Sequence, residues 1–194
     1  MTDKITTTED AVLEEIADFF EDDEEITAAI DLYGQTPMDK RHRILNCLHL
    51  AKNAIWNYGL DQSMTCCILL NHFIETCEID SFIQGFSPDT QKLAYEIDQI
   101  ATKFENEPET DFSKFSINAK NLWQLYCIYE LKVANEIMET DNLSGEEWDN
   151  ILYIHSVMHK FGANTNNIMA DYLEKMDDAF IDMSIKHSKY QPNS

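Results

Sequence analysis

The chain has 194 residues, 36 of them acidic and 14 basic, for a formal charge of -22 at pH 7. That balance argues against partners that are themselves polyanionic, because nucleic acids and anionic membrane surfaces are bound through clustered Lys and Arg. Disorder is excluded too: 44% of the residues are hydrophobic and 11% aromatic, which supplies the apolar surface that unfolded chains lack. Five Gly, four Pro and three Val leave little material for turns and β-branched strands, so the expected fold is all-α, a multi-helix bundle. No apolar run approaches the roughly 18 residues of a membrane span, and Met1-Thr2-Asp3-Lys4 does not open like a secretory signal. The expectation is a cytoplasmic protein whose five cysteines, Cys47, Cys66, Cys67, Cys77 and Cys127, are free and mostly buried thiols.

Residues 5–39 hold twelve Asp or Glu and no Lys or Arg, more than half of the net charge. Within them Val12, Ile16, Phe19 and Phe20 recur at helical spacing behind a capping Thr8, giving a first helix with one apolar and one negative face. A charged break at 22–25 precedes a second helix over 26–33 and a loop over 34–39. Ile44, Leu45, Leu48, Ala51 and Ile55 mark a third helix that stops before Gly59. Residues 63–75 are apolar on all sides and predict one central, buried helix. Ser87-Pro88-Asp89 writes a helix start, with a cap and a Pro at the first helical position, leading to about residue 104. A polar linker over 105–111 leads to a long helix over 116–139. Ser144-Gly145-Glu146-Glu147 is a capping box opening a helix that ends near Gly162, and a last helix is expected over 166–185.

Between residues 31 and 86 a recognisable order of short motifs appears: Gly34-Gln35, Asn46, Leu50-Ala51, Gly59-Leu60-Asp61, Leu69-Leu70-Asn71-His72 and Glu75. It continues through Phe86-Ser87-Pro88-Asp89, Ala119-Lys120, Tyr129, Leu131, Ser144 to Trp148, and His159-Lys160-Phe161-Gly162. In order and spacing this resembles the HD hydrolase domain of the RelA/SpoT family and of the small alarmone hydrolases, which hydrolyse (p)ppGpp. The resemblance covers roughly residues 30–183 and implies a helical HD-type domain.

It also implies a site that this chain has largely lost. Family members bind a divalent metal, usually manganese, through a first His, a His-Asp pair and a later Asp, and the metal-bound water attacks the pyrophosphate ester. Here the first position holds Asn46, the pair reads Asn71-His72, and the later Asp falls on Tyr126, or on Cys127 if the alignment slips by one. Amides and phenols are poor ligands for such an ion. Of the acidic pair that activates water, Glu75 remains and Thr76 replaces the Asp. The family's substrate-binding cations fall on Pro37 and Trp123, and its following Asn on Glu130. Lys40-Arg41-His42-Arg43 is the one basic cluster in the segment of the family's substrate loop. Lys40, Arg41 and Arg43 are therefore nucleotide-binding candidates; the plainer reading is a basic turn that pairs with the acidic N-terminal segment.

His155 and His159, spaced i, i+4, share a helix face and form a weak metal-site candidate without an identifiable third ligand. Trp56, Trp123 and Trp148 read most simply as core anchors. The expected organisation is an acidic helical extension over 1–28, an HD-like pseudo-hydrolase domain over 29–187 and a disordered tail over 188–194. The leading expectation is a catalytically inactive HD-fold protein that binds a protein partner with a basic surface, through Glu14, Glu15, Asp18 and Glu21. Asn46, Asn71, His72, Glu75 and Tyr126 would be its remnant pocket, with no cofactor. The alternatives are a purine-nucleotide sensor without turnover, or an active phosphohydrolase whose manganese site has been rearranged around His72, Glu75 and other histidines such as His42 and His49. Mimicry of DNA by the acidic helices is a further reading that rests on charge alone.

Overall fold

Apolar residues at helical spacing become helices wherever a polar group is placed to receive the free N–H groups of the first turn. The computed structural model describes residues 3–58, 61–106, 112–140, 144–162, 177–178 and 180–186, and every regular element among them is helical. The expected disordered tail, Gly59-Leu60 and much of the expected last helix lie outside the described residues. The chain divides into two compact units, residues 1–110 and 111–194.

Unit 1 contains α1 (Asp3–Phe19), α2 (Glu24–Tyr33), α3 (Met38–Tyr58), α4 (Gln62–Leu69), α5 (Asn71–Thr76) and α6 (Pro88–Asn106), with 3-10 turns at Ile79–Ser81 and Ile83–Gly85. At its centre lies α4, whose Met64, Thr65, Cys66, Cys67, Ile68 and Leu69 are all buried. It packs against α2, α3 and α6, so no face is left for water, in keeping with a segment apolar all round. The single helix expected over 63–75 is in fact two. Leu70 sits between them at φ -81° and ψ 0°, off the regular helical path, while hydrogen bonds from Leu70 N to Cys66 O and from Ile74 N to Leu70 O continue on either side. No Gly or Pro marks this break; it falls where three consecutive leucine and isoleucine side chains, Ile68, Leu69 and Leu70, are completely enclosed.

The helix starts follow local chemistry. Asp23 caps α2, its Oδ1 accepting from Glu25 N at 2.8 Å, and Asp61 caps α4, accepting from Met64 N at 2.9 Å. Ser87 Oγ accepts from Thr90 N at 3.3 Å ahead of Pro88. Gln62 Nε2 donates to Asp23 at 2.7 Å and to Glu25 at 2.8 Å, and the other Glu25 oxygen accepts from Ser87 N. One carboxylate thus ties the starts of α2, α4 and α6 together. Burial, reinforced by Glu25, Asp23 and Asp61, pushes the Cys66 thiol far above its usual range, and burial does the same to Cys67. These vicinal thiols are core groups rather than nucleophiles.

Unit 2 contains α7 (Ile117–Thr140), α8 (Gly145–Gly162) and further helical residues at 177–178 and 180–186, with a 3-10 turn at Phe112–Lys114. The capping box forms as expected: Glu147 N donates to Ser144 Oγ at 3.2 Å, and Ser144 N to Glu147 Oε2 at 2.7 Å. That reciprocal bond holds the Glu147 carboxyl below its ordinary pKa. α7 packs on α8, and Trp148 stacks on Phe180, ring centroids 5.9 Å apart, joining α8 to the last helix.

Because α4 is enclosed on every side, truncating it leaves a cavity that neighbours cannot fill. Ile68→Ala should lower the stability of unit 1 by about 2–5 kcal/mol, read from urea denaturation followed by far-ultraviolet circular dichroism.

Candidate functional site

α1 meets the rest of unit 1 through a stripe at i, i+3, i+7: Glu9, Val12 and Ile16, which are 6%, 5% and 7% exposed. A carboxylate in that stripe needs a partner, since an unpaired buried charge is expensive. Arg41 provides it, with Nη1 3.1 Å from Glu9 Oε1. The same guanidinium donates through Nε to Thr36 O at 2.8 Å and through Nη2 to Gly34 O, and it lies over the Tyr33 ring at 5.5 Å. The basic turn thus pairs with the acidic N-terminal segment. Tyr33 is itself buried, and burial together with the Glu9 carboxylate pushes its phenol well above its ordinary pKa.

The opposite face of α1 is acidic and open: Glu14, Asp18 and Glu21 are exposed and Glu15 is half-buried. The helix ends in a Schellman motif, with Asp22 N donating to Ala17 O at 3.0 Å and Glu21 N to Asp18 O at 3.2 Å. Glu21 and Asp22 both take left-handed backbone angles, φ 54° and 56°, where glycine is favoured and other residues are strained. Acidic groups at this end also oppose the helix dipole, and no basic residue lies in the last turn to offset them. The acidic turn is therefore kept against local stability on two counts.

Each remnant-pocket position has its own local setting. Glu75 is engaged by Arg43, whose Nη1 lies 3.0 Å from Oε1 and 3.2 Å from Oε2. Asn46 turns back on its own helix, its Nδ2 2.9 Å from His42 Nδ1 and 2.8 Å from His42 O. Asn71 is buried, and its Oδ1 has no hydrogen-bond partner. His72 is half-buried, with its ring edge to Phe73 at 5.7 Å. Tyr126 belongs to unit 2, where it is buried with its ring edge to Trp123. Neutral amides and a carboxylate already neutralised by Arg43 do not fit the manganese that the resemblance implies. Among the described residues no three His, Cys, Asp or Glu side chains come together as an ion would require.

The remaining candidates are placed as follows. Lys40 is exposed, its Nζ 3.8 Å from Asp39. Arg41 and Arg43 are each already paired, with Glu9 and Glu75 respectively. His155 turns to the last helix, with Nε2 2.8 Å from Asp177 Oδ1 and its ring stacked on Phe180 at 3.8 Å. His159 lies on α8, and its side chain is outside the described residues. Glu9 was missed from sequence, although an acid at the register of Val12 and Ile16 was the signal for it. No helix among the described residues is long and apolar enough to cross a membrane. No protein-family model, curated protein or solved structure matches this chain.

Two outcomes follow from the setting of α1. Tyr33 holds its proton in the folded chain past the pH of about 10 at which an unfolded tyrosine ionises, so it removes stability as pH rises above that value. Tyr33→Phe should shrink the fall in urea midpoint between about pH 9 and 11 relative to wild type. Glu21→Gly, at the left-handed cap, should raise the stability of unit 1 by roughly 1 kcal/mol at pH 7 in the same assay.

Proposed function

We propose that this chain is a catalytically inactive relative of the HD-domain alarmone hydrolases and works by binding a protein partner with a basic surface. The binding surface is the outer face of α1, with Glu14, Glu15, Asp18 and Glu21 as its contacts, and the role is that of a regulator, inhibitor or antitoxin-like element. The observation that carries the binding role is the strained acidic turn at the end of a helix whose apolar stripe is already used internally. Residues held against local stability are commonly held for function. A basic partner would offset the electrostatic cost by supplying the cations that the last turn lacks.

The inactive half of the reading is supported by Glu75. A carboxylate that activates water must face that water, and here both oxygens of Glu75 face the Arg43 guanidinium instead. Asn46, at the position of the first metal ligand in the resemblance, offers an amide already engaged by His42 of its own helix.

Affinity capture from lysate of the source cells should recover a basic protein with the wild-type chain and lose it with Glu14→Lys/Asp18→Lys, at least about tenfold by quantitative mass spectrometry. Recovery that is unaffected by the reversal sinks the docking surface. Release of pyrophosphate from ppGpp by the purified chain in added manganese sinks the inactive reading.

A further inference from the structure

The acidic face of α1 is useful to a partner only while α1 is a helix, and α1 is poorly equipped to be one alone. Asp10, Glu14 and Asp18 are exposed at i, i+4 and i+8, so like charges adjoin along one row. Glu21 and Asp22 add negative charge at the dipole's negative end, and isolated helices of this length are marginal even with favourable sequences. Docking must therefore hold the helix, and among its described residues Val12, Ile16 and Glu9 are the buried ones. Two of these are apolar and non-directional. Of these three, Glu9 is the directional one, held by a guanidinium that is immobilised on its other side.

Arg41 is built to stay in place. Its Nε is held by Thr36 O and its Nη2 by Gly34 O, both on the connection between α2 and α3, and its plane lies over Tyr33 at the end of α2. One edge, Nη1, is turned to α1 and takes Glu9. When α1 leaves, Arg41 keeps its carbonyl partners and exposes one edge to water, and α1 loses the Glu9 ion pair. The two states differ locally, which is the form of a strap rather than of a core element.

We propose that Glu9 and Arg41 form a latch that keeps α1 docked and helical, and that a basic partner on the outer face and the latch on the inner face reinforce one another. The proposal rests on the reading of α1 as the docking surface and adds its regulation. The partner neutralises the outer row and favours the helix, and the helix presents that row at fixed spacing. By linkage, breaking the latch weakens binding at residues it does not touch. The partner implied is a basic surface that contacts an ordered helix from outside, because Val12 and Ile16 are buried within unit 1, with Phe19 43% exposed at the helix end.

Hydrogen exchange on the full chain, with a short oligolysine peptide as probe, tests this. Glu9→Ala and Arg41→Ala should each raise amide exchange across residues 10–19 by about tenfold or more and leave α4 and α6 protected. The double variant should be no worse than the more affected single one, because both break the same pair. Glu9→Gln keeps an acceptor for Nη1 and should restore part of the protection. Oligolysine should slow exchange in α1 of the wild type, and its apparent affinity should fall in Glu9→Ala although Glu14, Glu15 and Asp18 are intact. Changes below about twofold in both single variants overturn the latch, as do additive effects in the double variant or loss of protection spreading into α4 and α6. If the latch fails in this way while Glu14→Lys/Asp18→Lys still abolishes partner capture, the docking surface stands and only its regulation is wrong.

Discussion

Unit 1 is arranged around the need to hide one helix. α4 has no polar face, so burying Ile68, Leu69 and Leu70 requires cover on all sides, and α2, α3 and α6 supply it. Each such side chain contributes about 1.5–3 kcal/mol when removed from water. The cost is concentrated at the start of α4, where backbone N–H groups and the side chain of Gln62 enter a crowded junction. Asp61 takes the Met64 N–H, and Asp23 and Glu25 take Gln62. Glu25 then reaches Ser87 ahead of α6. Hydrophobic enclosure thus determines which helices must meet, and three carboxylates determine how their ends fit.

The same carboxylates show that acidity in this chain has two uses. Asp23, Glu25 and Glu9 are spent inside unit 1, on a cap, a junction and an ion pair. Glu14, Asp18 and Glu21 face water and improve nothing locally; the last of them occupies a backbone conformation better suited to glycine. A net charge of -22 spread for solubility would not require strained positions. The contrast between the inner and outer acids of the first 25 residues is the physical basis for assigning the outer ones a partner.

The two arginines of the basic cluster each meet an acid. Arg41 is fixed by Glu9 and two carbonyls, and Arg43 by Glu75. In the pattern that the motifs resemble, Glu75 stands where water is activated and the cluster lies where an anionic substrate enters. Here the two are joined by a direct ion pair across α3 and α5. Pairing of this kind turns both side chains toward one another, and that contact is what supports the proposed loss of chemistry.

Much of this was legible in the sequence, and where it was not, the reason is physical. The starts of α6 and α8 were read from Ser87-Pro88 and from Ser144 with Glu147 because caps are short-range, formed within three residues. The all-α class was read from composition, and the burial of residues 64–69 from a stretch over 63–75 that is apolar on all sides. The break at Leu70 was not, because no Gly or Pro announces it and it arises from enclosure by other helices. Nor were the partners of Arg41, Arg43 and Glu9, which lie 32 residues apart in each pair. Local sequence determines helix, cap and charge, since these depend on neighbours within a few residues. Only the tertiary structure decides which acid meets which cation, and so which part of a charge of -22 is left facing outward.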